Sequence, residues 1–117
     1  MPAAILLVDD DPAISRLLEI YLGREFVIAR ATTAEEATAT LLKTRIDVVL
    51  LDLMLPDRPG WSLLQQIKRE YPAIRVLIMT GRSDEETRKQ VAQYGADGII
   101  LTPSTPAAIK QQILALL

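Results

Sequence analysis

Two residue types that commonly carry out chemistry are missing from this sequence, because its 117 residues include no cysteine and no histidine. Without cysteine, neither a disulfide framework nor a thiolate metal site is possible. Without histidine, the chain lacks the commonest transition-metal ligand and the commonest general base. Any metal site must therefore use oxygen ligands.

The sequence also lacks a strong charge imbalance and a long apolar run. Its 13 basic and 15 acidic residues give a net charge of −2, and no basic block marks a surface for nucleic acid. No apolar run approaches the ~18 residues that span a bilayer, and the N-terminus lacks the basic segment of a signal peptide. We therefore expect a cytoplasmic domain that binds neither nucleic acid nor membrane directly.

Apolar residues make up half of the sequence, which is enough for one well-formed core. We expect residues 1–117 to form a single globular domain. Short apolar runs bounded by turn residues are typical of strands buried on both faces of a parallel sheet. The predicted strands span residues 3–8, 26–31, 46–51, 74–79 and 98–101.

A helical pattern follows each predicted strand. Asp11 and Pro12 are typical of a helix N-cap and first turn, and Gly23 ends that helix. The pair Thr105 and Pro106 predicts the start of the last helix in the same way. The middle helices are predicted to begin at Thr32 or Thr33, after the Pro-Gly loop before Leu63, and at Ser83 or Asp84. This alternation predicts a three-layer α/β sandwich with five parallel strands and five helices.

Polar residues follow the predicted strands where a parallel sheet binds its ligands, beyond the carboxyl ends of the strands. Asp9 and Asp10 follow strand 1, Asp52 ends strand 3, Thr80 ends strand 4 and Thr102 follows strand 5. At a separation of ~5 Å and an effective dielectric near 20, each pair of carboxylates repels by roughly 3 kcal/mol. Such a cluster favours a hard divalent cation, and Mg²⁺ is the natural choice.

Each of these residues also has an ordinary structural interpretation. Asp9, Asp10 and Asp11 are compatible with a solvated turn and a helix cap, Asp52 with the start of a loop, and Thr80 with a strand-end hydroxyl. The functional interpretation is favoured because all of them fall at one edge of the predicted sheet.

Four segments carry a resemblance to a known family: L-L-V-D-D-D-P, L-L-D-L-M-L-P-D-R-P-G, I-M-T-G and G-A-D-G-I-I-L-T-P. In this order and spacing, the chain resembles the receiver domain of bacterial two-component response regulators. The resemblance implies a flavodoxin-like sheet with strand order 2-1-3-4-5. It also implies a signalling domain rather than an enzyme, with at most self-catalysed phosphotransfer and dephosphorylation.

The resemblance implies specific roles for the polar residues. Asp52 would accept a phosphoryl group from a sensor histidine kinase or a phosphotransfer domain. Asp10 and Asp52 would bind Mg²⁺ directly, Asp9 largely through water, and Met54 through its backbone carbonyl. The hydroxyl of Thr80 would bind a phosphoryl oxygen, and the modified domain would then switch a surface for an effector or output domain.

Two positions depart from the family pattern. Thr102 stands where receivers usually carry the lysine that pairs with the acidic cluster, and Arg82 and Arg58 are the candidates to replace that charge. Ile99 stands where the family often places a tyrosine or phenylalanine that rotates on activation. A β-branched aliphatic side chain cannot make that aromatic movement.

Two other functions are compatible with the sequence. A degenerate receiver would keep the fold and dock partners without phosphotransfer. An aspartate-nucleophile phosphatase of the haloacid-dehalogenase type would use the D-x-D pattern of Asp9 to Asp11. That chemistry also needs a lysine at a later strand end, whereas the pattern places every lysine on a helix surface: Lys43, Lys68, Lys89 and Lys110.

Overall fold

The computed structural model describes residues 2–81 and 85–117. In this part of the chain, strands and helices alternate from end to end. The strands are β1 (Ala4–Val8), β2 (Val27–Ala31), β3 (Val48–Asp52), β4 (Arg75–Thr80) and β5 (Gly98–Leu101). The helices are α1 (Pro12–Leu22), α2 (Ala34–Lys43), α3 (Gly60–Glu70), α4 (Glu85–Gln93) and α5 (Pro106–Leu116). None of the helices described here is long and apolar enough to cross a bilayer.

The strands form one sheet in the order β2-β1-β3-β4-β5, and every neighbouring pair is parallel. This order confirms the predicted flavodoxin-like fold. In the register, Val8 of β1 lies beside Leu51 of β3, and Asp52 lies beside Met79 of β4. The residues that follow β1 and end β3 and β4 therefore emerge at the same edge of the sheet.

Two apolar clusters, one on each face of the sheet, produce the three layers. Alternate residues of a strand point to opposite faces, so Leu51 packs in one cluster and Leu50 in the other. The first cluster is covered by α2, α3 and the partly buried Val91 and Tyr94 near the end of α4. The second is covered by α1 and α5.

The helix starts agree with their predicted caps where the structure describes them. Asp11 Oδ1 accepts hydrogen bonds from the backbone of Ala13 at 3.0 Å and of Ile14 at 3.4 Å, and α1 begins at Pro12. Thr105 caps α5. For α2, the cap is Thr33 rather than Thr32. The predicted start of helix 4 at Ser83 or Asp84 lies outside the described residues.

The edges of β3 differ from the prediction. The predicted strand began at Ile46, which is buried but lies outside the strand, whereas β3 runs from Val48 to Asp52. The Asp47 carboxylate accepts a hydrogen bond from the backbone of Ala4 at 2.8 Å, so this residue joins two strands at the entrance to the sheet. Apolar character marks burial and not ladder pairing, so the apolar run begins two residues before β3 does. At its other end, β3 ends at Asp52, the residue expected at the end of this strand.

Candidate functional site

A cleft of about 400 Å³ lies at the carboxyl edge of the sheet. Its walls come from the ends of the strands and from the loop and helix that follow β3. The residues lining it include Asp9, Asp52, Trp61, Thr80, Gly81 and Thr102. Residues that the sequence placed after four different strands are therefore neighbours here.

The three predicted carboxylate ligands of the metal come together in this region. Asp9, Asp10 and Asp52 each offer a carboxylate oxygen, and these atoms lie within 4.8 Å of one another. Asp9 is only 6 % exposed, Asp52 is partly buried and Asp10 is exposed. The cluster therefore has one buried carboxylate at its base and one open to solvent.

Hydrogen bonds from nearby backbone N–H groups hold two of these carboxylates in place. Asp9 Oδ1 accepts a hydrogen bond from the backbone of Asp11 at 2.8 Å, and Asp52 Oδ1 accepts one from the backbone of Met54 at 3.0 Å. Asp11 itself caps α1. The acidic triplet is thus divided between the two interpretations, because Asp9 and Asp10 belong to the cluster while Asp11 is a structural cap.

The site has an excess of negative charge. The pKa of Asp9 is raised from 3.8 to about 6, chiefly by burial and less by the nearby carboxylates of Asp52 and Asp10, while the hydrogen bond from the Asp11 backbone opposes the rise. Burial also raises the pKa of Asp52. Two carboxylate charges ~5 Å apart repel by about 3 kcal/mol at an effective dielectric of about 20. The cluster therefore needs a cation or a proton, and its oxygen donors fit Mg²⁺.

Thr80 and Thr102 form the opposite side of the cleft. Thr80 ends β4 and is 8 % exposed. The backbone of Thr102 donates a hydrogen bond to the Thr80 carbonyl oxygen at 2.9 Å. A Cβ atom at Gly81 would lie 3.8 Å from Thr102 Oγ1. This part of the cleft wall is therefore formed by the neutral residues Thr80, Gly81 and Thr102.

The structure places Arg58 away from the cleft. Its guanidinium donates a hydrogen bond to Ser62 Oγ at 2.7 Å and another to Gln66 Oε1, both on α3. Arg58 is not among the residues lining the cleft, and none of the described lining residues carries a positive charge. Arg82, the other candidate, lies outside the described residues.

The lysines are also remote from the cleft. Lys43 and Lys89 are exposed, as predicted. Lys68 is only partly exposed and donates to Asp97 Oδ2 at 2.8 Å, whereas Lys110 pairs with Glu25 at the surface. Both side chains meet a carboxylate from a distant part of the chain. None of the four lines the cleft, so the phosphatase interpretation lacks its lysine in the described part of the chain.

Two contacts near the site have no counterpart in the sequence pattern. Trp61, which lines the cleft, packs against Tyr94 with ring centroids 5.4 Å apart and planes tilted by 49°. Asp57, in the loop after β3, accepts backbone hydrogen bonds from the first turn of α2. Both join residues that are more than twenty positions apart, and local spacing gives no signal for such pairs.

Comparisons with known proteins match almost the whole chain. The family model described as the response regulator receiver domain matches residues 5–114. The transcriptional regulatory protein ResD of Bacillus subtilis is 39% identical over 114 residues, which are 97% of this chain and 47% of that protein. The chain therefore spans about half the length of the curated relatives it matches.

Solved structures show the same fold. The Vibrio cholerae chemotaxis protein CheY4 superimposes with a TM-score of 0.94 over 100% of both chains, at 23% identity. A CheY-like receiver domain protein from Methanospirillum hungatei has a TM-score of 0.87 at 28% identity, covering 98% of this chain and 93% of that one. The likeness to CheY4 establishes the fold alone.

Proposed function

The chain belongs to the response regulator receiver domain family, whose members are signalling domains of two-component systems, and we propose that it is a phosphoryl-accepting switch. In this proposal, residues 1–117 form one receiver domain and Asp52 accepts the phosphoryl group beside a bound Mg²⁺. The observation that carries the proposal is the convergence of Asp9, Asp10 and Asp52, whose oxygen atoms lie within 4.8 Å of one another.

The metal would be held by oxygen atoms only. Asp10 and Asp52 would bind Mg²⁺ directly, Asp9 largely through water, and Met54 through its backbone carbonyl. The charge excess at the cluster supports this assignment, because Mg²⁺ prefers carboxylate and water ligands. When bound, Mg²⁺ supplies positive charge that compensates the carboxylates and the incoming phosphoryl oxygens.

Asp52 is the nucleophile of the proposed transfer. A bond forms between its carboxylate oxygen and phosphorus as the bond from phosphorus to the imidazole of the partner histidine breaks, and that bond's electron pair stays on the imidazole. The backbone bond from Met54 at 3.0 Å orients the Asp52 carboxylate, and the Thr80 hydroxyl binds a phosphoryl oxygen. Phosphoryl transfer depends mainly on such positioning and charge compensation.

The proposed partners follow from the family. A sensor histidine kinase or a phosphotransfer domain supplies the phosphoryl group, and an effector or output domain receives the signal. ResD is named as a transcriptional regulatory protein, and we propose that any contact with nucleic acid is made outside this domain. The proposed setting is the cytoplasm, with no membrane partner.

Transmission of the signal needs a route other than an aromatic residue on β5, because Ile99 holds that position. The contact of Trp61 with Tyr94 supports a route through α4. Trp61 lines the cleft, and Tyr94 follows α4 directly, before Gly95 with its positive φ of 79°. A change in the cleft that moves the indole ring of Trp61 would therefore displace Tyr94 at the end of α4.

The proposal is tested by phosphorylation in solution. The protein is incubated with Mg²⁺ and a small-molecule phosphodonor, and its intact mass is measured. We expect one added phosphoryl group that is lost in Asp52→Ala and in the presence of EDTA. A folded protein that gains no phosphoryl group under these conditions would refute the phosphoacceptor function.

A degenerate receiver that docks partners without phosphotransfer is the second candidate. It is favoured by Thr102, since none of the described residues lining the cleft carries the positive charge that would pair with a phosphoryl group. The same experiment separates the two candidates. A degenerate receiver would keep its fold and show no adduct at any concentration of Mg²⁺ or phosphodonor.

A further inference from the structure

Residues 53–59 form the loop that joins the end of β3 to α3. The two ends of the loop meet, because the backbone N–H of Gly60 donates to the Leu53 carbonyl oxygen at 3.0 Å. A Cβ atom at Gly60 would lie 2.7 Å from the Asp52 carbonyl oxygen and 2.7 Å from Leu53 Cα, which is closer than a side chain can approach backbone. The base of the loop is therefore closed directly beside Asp52 and requires glycine at position 60.

The far end of this loop is attached to a different helix. Asp57 Oδ1 accepts a hydrogen bond from the backbone of Ala34 at 2.9 Å, and Asp57 Oδ2 accepts one from the backbone of Glu35 at 3.0 Å. These are the first two residues of α2. Because the N–H groups of Ala34 and Glu35 stabilise the charged carboxylate, the pKa of Asp57 lies below its ordinary value. Helix N-termini favour such carboxylates, since their first N–H groups lack partners within the helix.

The helix α2 also has a cap from its own chain segment. Thr33 Oγ1 accepts a hydrogen bond from the backbone of Glu36 at 3.0 Å. Asp57 bonds to two other N–H groups of the same first turn. The N-terminus of α2 thus has two caps, and of these only Asp57 connects the helix to the loop after β3.

Core packing holds only the first half of the loop. Leu53 and Leu55 are partly buried against the core, whereas the Met54 side chain between them is 78 % exposed. The backbone N–H of Met54 donates to Asp52 Oδ1 at 3.0 Å. Beyond Leu55, the loop is held by the bonds of Asp57 to α2 and by those of Arg58 to α3.

We propose that Asp57 is a positioning residue for the divalent-cation site. By capping α2 from the loop, it holds in place the backbone of Met54, which lines the cleft and donates to Asp52 Oδ1 at 3.0 Å, so that the Met54 carbonyl can bind the cation. The inference rests on the proposed function, because it requires that the carboxylate cluster binds Mg²⁺. Both carboxylate oxygens of Asp57 are bonded to α2, so Asp57 acts through Met54 and not as a ligand.

The test is the affinity of the whole chain for Mg²⁺. MgCl₂ is titrated into each variant and followed by Trp61 fluorescence and, independently, by the heat of binding. Asp57→Ala removes both bonds to α2, and we expect it to raise the Kd for Mg²⁺ about tenfold, as is typical when the outer support of a metal ligand is lost. Asp57→Asn keeps one acceptor oxygen and should raise the Kd less.

Thr33→Ala is the matched control. It removes the other cap of α2 and leaves the loop untouched, so it should lower the Tm as Asp57→Ala does while leaving the Kd for Mg²⁺ unchanged. Equal loss of affinity in the two alanine variants would overturn the proposal, because loss of helix stability would then explain both. An unchanged Kd in Asp57→Ala would overturn it as well.

The remaining outcomes separate this inference from the function on which it rests. If Asp57→Ala does not fold, Asp57→Asn decides the question by the same comparison with Thr33→Ala. If the unaltered protein binds no Mg²⁺, the metal site itself is refuted together with the role of Asp57. If the unaltered protein binds Mg²⁺ and the Asp57 variants bind it equally well, only the role of Asp57 is refuted.

Discussion

Asp9→Asn removes a buried negative charge from the carboxylate cluster. Asp9 is 6 % exposed and lies within 4.8 Å of the carboxylate oxygens of Asp10 and Asp52. Asparagine has nearly the same shape, and its Oδ1 atom can still accept the 2.8 Å hydrogen bond from the backbone of Asp11. The substitution therefore isolates the charge from the structure of the loop.

The magnitude follows from the pKa of Asp9, which is raised from 3.8 to about 6. A carboxyl group that binds its proton more tightly in the folded state than in the unfolded state lowers the free energy of unfolding as the pH rises through this range. This destabilisation is absent below pH 3.8 and reaches its full size above about pH 6. At about 1.4 kcal/mol for each tenfold change, it amounts to about 3 kcal/mol at neutral pH.

Denaturant unfolding in EDTA at pH 4 and at pH 7.5 measures this cost. We expect Asp9→Asn to be more stable than the unaltered protein at pH 7.5, by up to about 3 kcal/mol, and this advantage to shrink towards pH 4. Saturating Mg²⁺ should remove the advantage at pH 7.5, because the cation stabilises only the folded state that binds it. A stability difference that is the same at both pH values would refute the reasoning.

Two further substitutions test charges at the two ends of β5, which Asp97 precedes and Thr102 follows. Thr102→Lys places an ammonium group in the cleft wall, where at ~5 Å from a carboxylate it attracts by roughly 3 kcal/mol. We expect faster phosphorylation by a small phosphodonor in the mass assay, and unchanged kinetics would mean that another cation already fills this role. Asp97→Asn weakens the 2.8 Å contact with Lys68, and it should cost about 2 kcal/mol at pH 7 in denaturant unfolding. Burial raises the pKa of Asp97, but the hydrogen bonds from Lys68 and the Val76 backbone outweigh it, so the pKa is lowered. The loss should therefore shrink as the pH falls below 3.8, and a loss that is constant with pH would argue against the ion pair.

Most of the fold could be predicted because its signals are local. The apolar runs that become β1, β3 and β4 are short and bounded by turn residues, and the caps Asp11 and Thr105 each act within three residues of themselves. The convergence of Asp9, Asp10 and Asp52 could be predicted as well, since parallel strands direct their carboxyl ends to one edge.

The contacts that hold the site in place could not be predicted in the same way. Asp57 pairs with α2 across 23 residues, and Lys68 pairs with Asp97 across 29 residues. Such pairings depend on how whole helices pack against one another. Local sequence spacing does not predict which charged groups will meet. Arg58 illustrates the same limit, because α3 offers it two acceptors that draw it away from the cleft.

The central claim is that Asp52 accepts the phosphoryl group in a cluster that binds Mg²⁺. Its most direct test is to locate the modification. The protein is treated with a small-molecule phosphodonor and Mg²⁺, reduced with borohydride, which converts an aspartyl phosphate to homoserine, and mapped by peptide mass spectrometry. The account predicts homoserine at position 52 with Mg²⁺ and none with EDTA. Homoserine at position 9 or 10 instead, or at no position in a folded protein, would contradict it.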